Sequence, residues 1–181
     1  VWRPQRDDGT RVERLYSGAS PAHNHEHWQL VDRDGTKFYF GRTLAPGGST
    51  QVTNSVWTVP VYGARPGDPC YHSTSFADSD CEHGWRWNLD YVEDVHGNAA
   101  VYQYRREVNY YGARELTTPV AYDRGGYLES IVWGYRNMSG TIYNASYPPR
   151  NRVLFSVAER CFDADPFFCT NDKFTESNAH R

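Results

Sequence analysis

The chain has 181 residues, of which 15% are aromatic, and its formal net charge is -3 at pH 7. This length is sufficient for one domain with a buried core. No stretch concentrates Lys and Arg, which argues against a nucleic-acid-binding protein. No apolar run approaches the roughly 18 residues that are needed to span a bilayer. We expect a single β-rich segment over 1–181.

The first predicted elements are a strand at TRVERLY (10–16) and a β-hairpin around DRDG (32–35). HWQLV before this turn and TKFYF after it both alternate with a period of two, which is typical of paired strands. Asp32 suits the first turn position, where its carboxylate can accept a backbone N–H. Gly35 suits a left-handed position that other residues occupy only at a cost.

The middle of the chain contains two further predicted strands, followed by a second turn. SVWTVPVYG (55–63) reads as a strand in which Pro60 indicates a sheet edge or a break. WRWNLDYV (85–92) places Trp85, Trp87, Leu89 and Tyr91 on one face. The turn that starts at Asp94 and reaches Gly97 then leads into the returning strand AAVYQY.

A third Asp-x-x-Gly sequence runs from Asp123 to Gly126 and precedes YLESIVW (127–133), and a last predicted strand lies in RVLFSVAER (152–160). We interpret all three Asp-x-x-Gly sequences as strand-reversing turns. The first and second sequences are separated by about two units of some 30 residues, and the second and third by about one such unit. This spacing suggests a degenerate repeat. The predicted fold class is therefore all-β, with antiparallel β-hairpins in a twisted sheet.

The four cysteines are Cys70, Cys81, Cys161 and Cys169. Neither local pair has the C-x2-C spacing of a zinc site, and local bridges Cys70–Cys81 and Cys161–Cys169 are the simplest of three connectivities. Each bridge would contribute about 2–3 kcal/mol by the chain-entropy relation. Two bridges would indicate an extracellular compartment. The alternative is four reduced, buried thiols in a cytosolic protein.

The sequence HNHEHW contains His23, His25 and His27, which alternate and could hold a metal if the segment is extended. The helical H-E-x-x-H signature and a second ligand cluster are both missing, which favours a polar surface loop. No G-x-S-x-G turn and no recognisable catalytic-cysteine context occur. We therefore expect a protein without enzymatic activity and without a cofactor.

Six aromatic residues allow a second interpretation of the function, as a carbohydrate-binding surface. If they face solvent beside polar side chains, they could form a sugar-binding face; otherwise they fill the core or an interface with the next β unit. We favour the packing role. The residues are Trp85, Trp87, Tyr102, Tyr104, Tyr110 and Tyr111.

Six stretches, in order across nearly the whole chain, resemble the RHS/YD-repeat proteins. More narrowly, the chain looks like the region upstream of the regular repeats in large secreted actinobacterial members, and the resemblance extends more distantly to toxin-complex shell subunits and to teneurins. The stretches are DDGTRVERL, HWQLVDRDGTKFYFGR, TNSVWTVPVYG, GWRWNLDYVEDVHGNAAVYQYRREVNYYG, YDRGGYLESIVWGYR and RVLFSVAERC.

The resemblance implies β-sheet ribbons that spiral into a hollow shell, which in toxins encloses a C-terminal effector. This chain would form part of the wall, or of an N-terminal plug or propeller region. Its partners would be neighbouring RHS/YD repeats and an enclosed effector, and its location secreted or at the cell surface. The chain lacks evenly spaced repeats, a self-cleaving core segment and a toxin domain, so toxicity does not transfer to it.

Three functions follow as expectations from this sequence. The first is a non-catalytic structural segment of such a shell. The second is a carbohydrate-binding or adhesive β module that recognises a cell-surface glycan. The third is a metal-dependent hydrolase centred on His23, His25 and His27. Because the chain begins with Val and ends in a polar run, we expect a segment of a longer polypeptide, with a ragged tail at 170–181.

Overall fold

The computed structural model describes residues 1–46, 51–112, 119–142 and 148–158. Within these ranges the regular structure consists of β-strands and two short 3-10 turns, so the all-β prediction is confirmed. The strands are β1 (Arg11–Tyr16), β2 (Glu26–Val31), β3 (Lys37–Phe40), β4 (Val56–Tyr62), β5 (Asp80–Trp87), β6 (Leu89–Glu93), β7 (Asn98–Tyr111), β8 (Val120–Arg136) and β9 (Asn151–Leu154).

The strands form two antiparallel sheets. The larger sheet has seven strands in the order β1-β2-β3-β6-β7-β8-β9, and the smaller pairs β4 with β5. Apart from the excursion into β4 and β5, consecutive strands are neighbours, as in a meander. The smaller sheet lies against β8, where the Trp57 ring of β4 packs over the backbone at Gly126. Pro60 lies in this two-stranded sheet, where one side of each strand is unpaired.

The turns at Asp32 and Asp94 have the predicted geometry. Asp32 Oδ1 accepts the backbone N–H groups of Asp34 and Thr36, both at 2.9 Å. Asp94 Oδ1 likewise accepts two backbone N–H groups, from His96 and Asn98, both at 2.8 Å. The fourth residue of each turn is a glycine with positive φ, +86° at Gly35 and +80° at Gly97, so each turn requires a left-handed position.

The prediction of a third turn at Asp123 is wrong, because Asp123 and Gly126 both lie inside β8. The Asp123 carboxylate does not cap its own turn; Oδ2 accepts the backbone N–H of Thr58 in β4 at 2.8 Å. Gly126 is needed for close packing, since a Cβ there would meet the carbonyl oxygen of Arg105 and the Trp57 ring. Only two of the three Asp-x-x-Gly sequences are therefore turns, which weakens the prediction of a degenerate repeat.

The predicted strand at 85–92 is divided by Asn88. Residues before Asn88 belong to β5 in the small sheet, and residues after it belong to β6 in the large sheet. The backbone N–H of Asn88 donates to the Ser55 carbonyl at 2.7 Å, and its carbonyl accepts the Gly41 N–H at 3.0 Å. Asn88 is therefore the point where the chain crosses from one sheet to the other.

The main hydrophobic core lies on the central strands of the large sheet. Its buried members are Ala45, Tyr91, Ala99, Val101, Tyr135 and Ile142. No helix among the described residues is long and apolar enough to cross a bilayer. The predicted bridge Cys161–Cys169 and the polar tail at 170–181 both lie outside the described residues.

Candidate functional site

Two histidines and two cysteines from three parts of the chain meet beside the small sheet. His23 lies in the 3-10 turn His23–His25, Cys70 lies in the loop after β4, and Cys81 and His83 belong to β5. One donor atom from each of the four residues lies within 4.8 Å of all the others. Cys81 and His83 are two positions apart on a strand, so their side chains point to the same face.

The Cys70–Cys81 disulfide ties the loop to the strand, with a Cα–Cα distance of 5.3 Å. The predicted local pairing is therefore present for these two cysteines. Cys70 has a φ of +65°, a left-handed conformation that is uncommon for a residue with a Cβ. The disulfide holds the loop in this conformation and thereby keeps both sulfur atoms beside the two imidazoles.

The imidazoles of His23 and His83 stack with their ring centroids 5.0 Å apart and an interplanar angle of 13°. His23 Nδ1 lies 3.1 Å from the Sγ of Cys81. His83 Nε2 is buried and has no hydrogen-bond partner among the described residues. Such a nitrogen loses its hydration without gaining a partner, which costs free energy in the folded state.

The three histidines of HNHEHW do not converge as a metal site would require. His25 Nδ1 donates to the Ser20 carbonyl at 3.0 Å, and His27 Nδ1 donates to the His25 carbonyl at 3.2 Å. Burial lowers the pKa of His27, which favours its neutral form. Among the described residues the four-donor set contains His23 and omits His25 and His27. The geometry therefore gives no support to a hydrolase centred on those three residues.

Most rings of the proposed sugar-binding face contribute to packing within the protein. Trp87 Nε1 donates to the Glu26 carbonyl at 3.1 Å, and Tyr104 donates its hydroxyl to the Leu89 carbonyl at 2.8 Å. Tyr111 packs edge-on against Tyr122. Trp85 is the exception, since it remains 43% exposed. Tyr102 and Tyr110 are half-buried. These contacts favour the packing role for the group.

A buried carboxylate at Asp90 forms a second polar cluster. Its Oδ2 accepts the Thr43 N–H at 2.6 Å and the hydroxyls of Ser55 and Thr53 at 2.8 and 3.1 Å. Its Oδ1 has no hydrogen-bond partner among the described residues. Burial raises the pKa of Asp90 to about 6, although these hydrogen bonds partly oppose the shift. Three donors directed at one oxygen hold β6 to the segment before β4.

A cavity of about 250 Å³ opens next to this cluster. Its walls are mainly apolar, and its polar lining includes Asn54 and Arg106. Asn54 donates to the Tyr104 carbonyl, and Arg106 donates to the Asp123 carboxylate. These two polar lining residues therefore also make structural contacts within the protein.

His83 and Asp90 are the two polar residues that sequence reasoning missed. One residue separates Cys81 from His83, and this spacing places both side chains on one face only if the stretch is a strand, which no alternating apolar pattern predicts. Asp90 occupies the predicted polar face of a strand, and nothing in the neighbouring residues indicates that this face is covered.

Comparison with known proteins assigns no family to the chain. No family model matches, and no curated protein matches. Among solved structures, the chain is similar to the crystal structure of TcdB2-TccC3 without its hypervariable C-terminal region, with 19% identity and a TM-score of 0.41. The match covers 87% of this chain and 6% of that chain. A TM-score this low does not establish a shared fold.

Proposed function

We propose that this chain is a non-catalytic structural segment of an RHS/YD-repeat protein, in which its large sheet continues into neighbouring strands of the same polypeptide. The six ordered stretches that resemble this family support the assignment. Domain 1–181 would form one section of a β-shell that encloses or presents an effector. The Cys70–Cys81 disulfide is compatible with a secreted or cell-surface location.

The observation that carries the proposal is the outer strand β9. It pairs only with β8 within the described sheet, and all four of its residues are exposed. Apolar side chains at and just beyond it are also open to solvent, with Leu154 60% and Val157 59% exposed. An exposed apolar edge strand promotes aggregation in a free-standing domain. The same edge is ready for hydrogen bonds with a further strand.

Cryo-electron microscopy of the full-length parent protein tests the proposal. We expect the seven strands to lie within a continuous curved wall, with a neighbouring strand paired to β9. A parent structure in which this chain is a separate globule, with β9 still at an edge, would overturn the proposal.

Hydrogen exchange provides a second measurement on the same proteins. The β9 amides should exchange more slowly in the parent protein than in the chain alone, because the new strand pairing protects them. The turn amides at 94–97 lie on an exposed hairpin and provide the internal control. Equal exchange of the β9 amides in both proteins would contradict continuation of the sheet.

A carbohydrate-binding module is the second candidate, and the exposure of Trp85 is the observation that favours it. The Trp85 ring leans on Trp57 at 5.5 Å, and its Nε1 donates to the Asp123 carbonyl at 3.1 Å. The ring is therefore fixed in place while part of its surface remains accessible. Saturable quenching of tryptophan fluorescence by cell-wall sugars, abolished in Trp85→Ala and retained in Trp133→Ala, would support this candidate; the absence of saturation would exclude it.

A further inference from the structure

We propose that thiol reduction of the Cys70–Cys81 disulfide converts its surroundings into a tetrahedral Zn²⁺ site formed by Cys70, Cys81, His23 and His83. The inference concerns a different region from the β9 edge and does not depend on the shell function. It rests on the convergence of four donors, on their chemical type and on the unpartnered nitrogen of His83.

The positions of the donors already approach those of a zinc centre. Zn–S and Zn–N bond lengths place the donor atoms of a tetrahedral site roughly 3.3–3.8 Å apart. In the structure the four donors lie within 4.8 Å of one another, with His23 Nδ1 3.1 Å from Cys81 Sγ. After the disulfide is broken, the main required movement is separation of the two sulfurs.

The donor set selects the metal. Two thiolates and two imidazoles are soft and borderline ligands that suit Zn²⁺, whereas Ca²⁺ and Mg²⁺ require oxygen donors. No carboxylate belongs to the set. Coordination through Nε2 of His83 would also give that buried nitrogen the partner that it lacks among the described residues.

The conversion is balanced in atoms and electrons. Two molecules of a small thiol deliver two electrons and two protons to the disulfide; the Cys70–Cys81 S–S bond breaks, two cysteine thiols form, and the small thiols leave as their own disulfide. Zn²⁺ then binds both sulfurs as thiolates and releases two protons, while the histidines bind as neutral imidazoles.

The two states would stabilise the same loop in different environments. In an oxidising compartment the disulfide connects the loop at Cys70 to β5. In a reducing compartment the metal would connect the same residues and would add His23 from the 3-10 turn. The segment between Cys70 and Cys81 would thus stay closed when the chain moves between compartments.

The experiment uses a Cys161→Ser/Cys169→Ser background, which removes the other two thiols of the chain. The purified protein is prepared oxidised and reduced, then titrated with Co²⁺ and with Zn²⁺. We expect the reduced protein to bind one metal ion per chain, with the absorption bands of tetrahedral thiolate-bound Co²⁺ that Zn²⁺ displaces. The oxidised protein should show neither the bands nor stoichiometric binding.

Histidine variants separate the proposed ligands from non-specific binding. His23→Gln and His83→Gln should each weaken Zn²⁺ binding by about tenfold or more, since even outer-shell changes have effects of that size. His96→Gln provides the matched control, because His96 lies at an exposed turn outside the donor set. If the reduced chain unfolds without metal, Zn²⁺ should restore its native circular dichroism spectrum.

Three results would overturn the inference. The first is a reduced protein that binds no stoichiometric metal and gains no structure or thermal stability with Zn²⁺. The second is equal Zn²⁺ affinity in His23→Gln, His83→Gln and His96→Gln. The third is equal binding by the oxidised and reduced forms.

Discussion

Asp94 and Asp123 both begin an Asp-x-x-Gly sequence, but they lie in opposite environments. The Asp94 carboxylate binds backbone groups within its own hairpin turn and lies at the surface. The Asp123 carboxylate is 3% exposed and binds Thr58 of β4 and Arg106 of β7. The same signature therefore forms a turn at Asp94 but not at Asp123, where the backbone N–H of Thr58 from another strand donates to the carboxylate.

The glycines of the two sequences differ in the same way. Gly97 has a φ of +80°, so its position requires a left-handed backbone. Gly126 lies in β8, where the requirement is space for the Arg105 carbonyl and the Trp57 ring. One glycine is required by its own dihedral angle and the other by its neighbours. Substitutions at these positions therefore distinguish local from tertiary contributions to the free energy of unfolding.

The largest expected effect is that of Gly126→Ala. The added Cβ would overlap a backbone carbonyl that cannot move without disrupting the β7–β8 pairing. We expect a loss of at least about 3 kcal/mol in the free energy of unfolding, at the upper end of overpacking effects. Urea denaturation of the variant and the wild type measures this loss.

Gly125→Ala is the matched control, one position away in the same strand. A Cβ at Gly125 would lie 3.8 Å from Glu107 Oε2, which is an ordinary contact. We expect little change in stability. If Gly125→Ala were as destabilising as Gly126→Ala, the close approach at Gly126 would not be the cause.

The second effect is the pH dependence that Asp90 produces. Its folded-state pKa is raised from 3.8 to about 6, so the folded state binds more protons than the unfolded state between those pH values. This difference contributes on the order of 3 kcal/mol to the free energy of unfolding. The contribution is fully present below pH 3.8 and is lost as pH rises through 6. The stability of Asp90→Asn relative to the wild type should therefore increase as pH rises from about 4 to 8.

Urea denaturation across this pH range measures the Asp90 effect. The difference in unfolding free energy between Asp90→Asn and wild type should increase with pH. A difference that stays constant, or that decreases as pH rises, would show that Asp90 does not titrate with a raised pKa in the folded protein.

Third in size is Asp123→Ala, which removes the acceptor for the Thr58 N–H and leaves Arg106 without this carboxylate partner. We expect a loss of about 2 kcal/mol, typical of a buried donor that becomes unsatisfied. Asp123→Asn keeps an oxygen for Thr58 and should lose less. Thermal unfolding of both variants measures the effect, and equal losses would indicate that the Thr58 hydrogen bond contributes nothing.

Local chemistry was predictable from the sequence, and distant pairing was not. The turns at Asp32 and Asp94 follow from contacts within five residues, and the alternating apolar runs predict most strands. The break at Asn88 depends on Ser55, and the position of Asp123 depends on Thr58. The four-donor cluster requires His23 to meet Cys81, which lies 58 residues further along the chain. No single window of sequence contains these contacts.

The smallest effect is expected at Asp94, and its pH dependence has the sign opposite to that of Asp90. The hydrogen bond from the Asn98 side chain, together with the backbone donors, lowers the pKa of Asp94. Its contribution to stability is therefore present above the unfolded-state pKa and is lost as pH falls through the lower folded-state pKa.

Asp94→Ala should destabilise the protein at neutral pH by less than Asp123→Ala, because water replaces the lost acceptor at an exposed turn. The deficit should shrink on acidification, as thermal unfolding at several pH values would show. A deficit that grows in acid would contradict a lowered pKa for Asp94 in the folded protein.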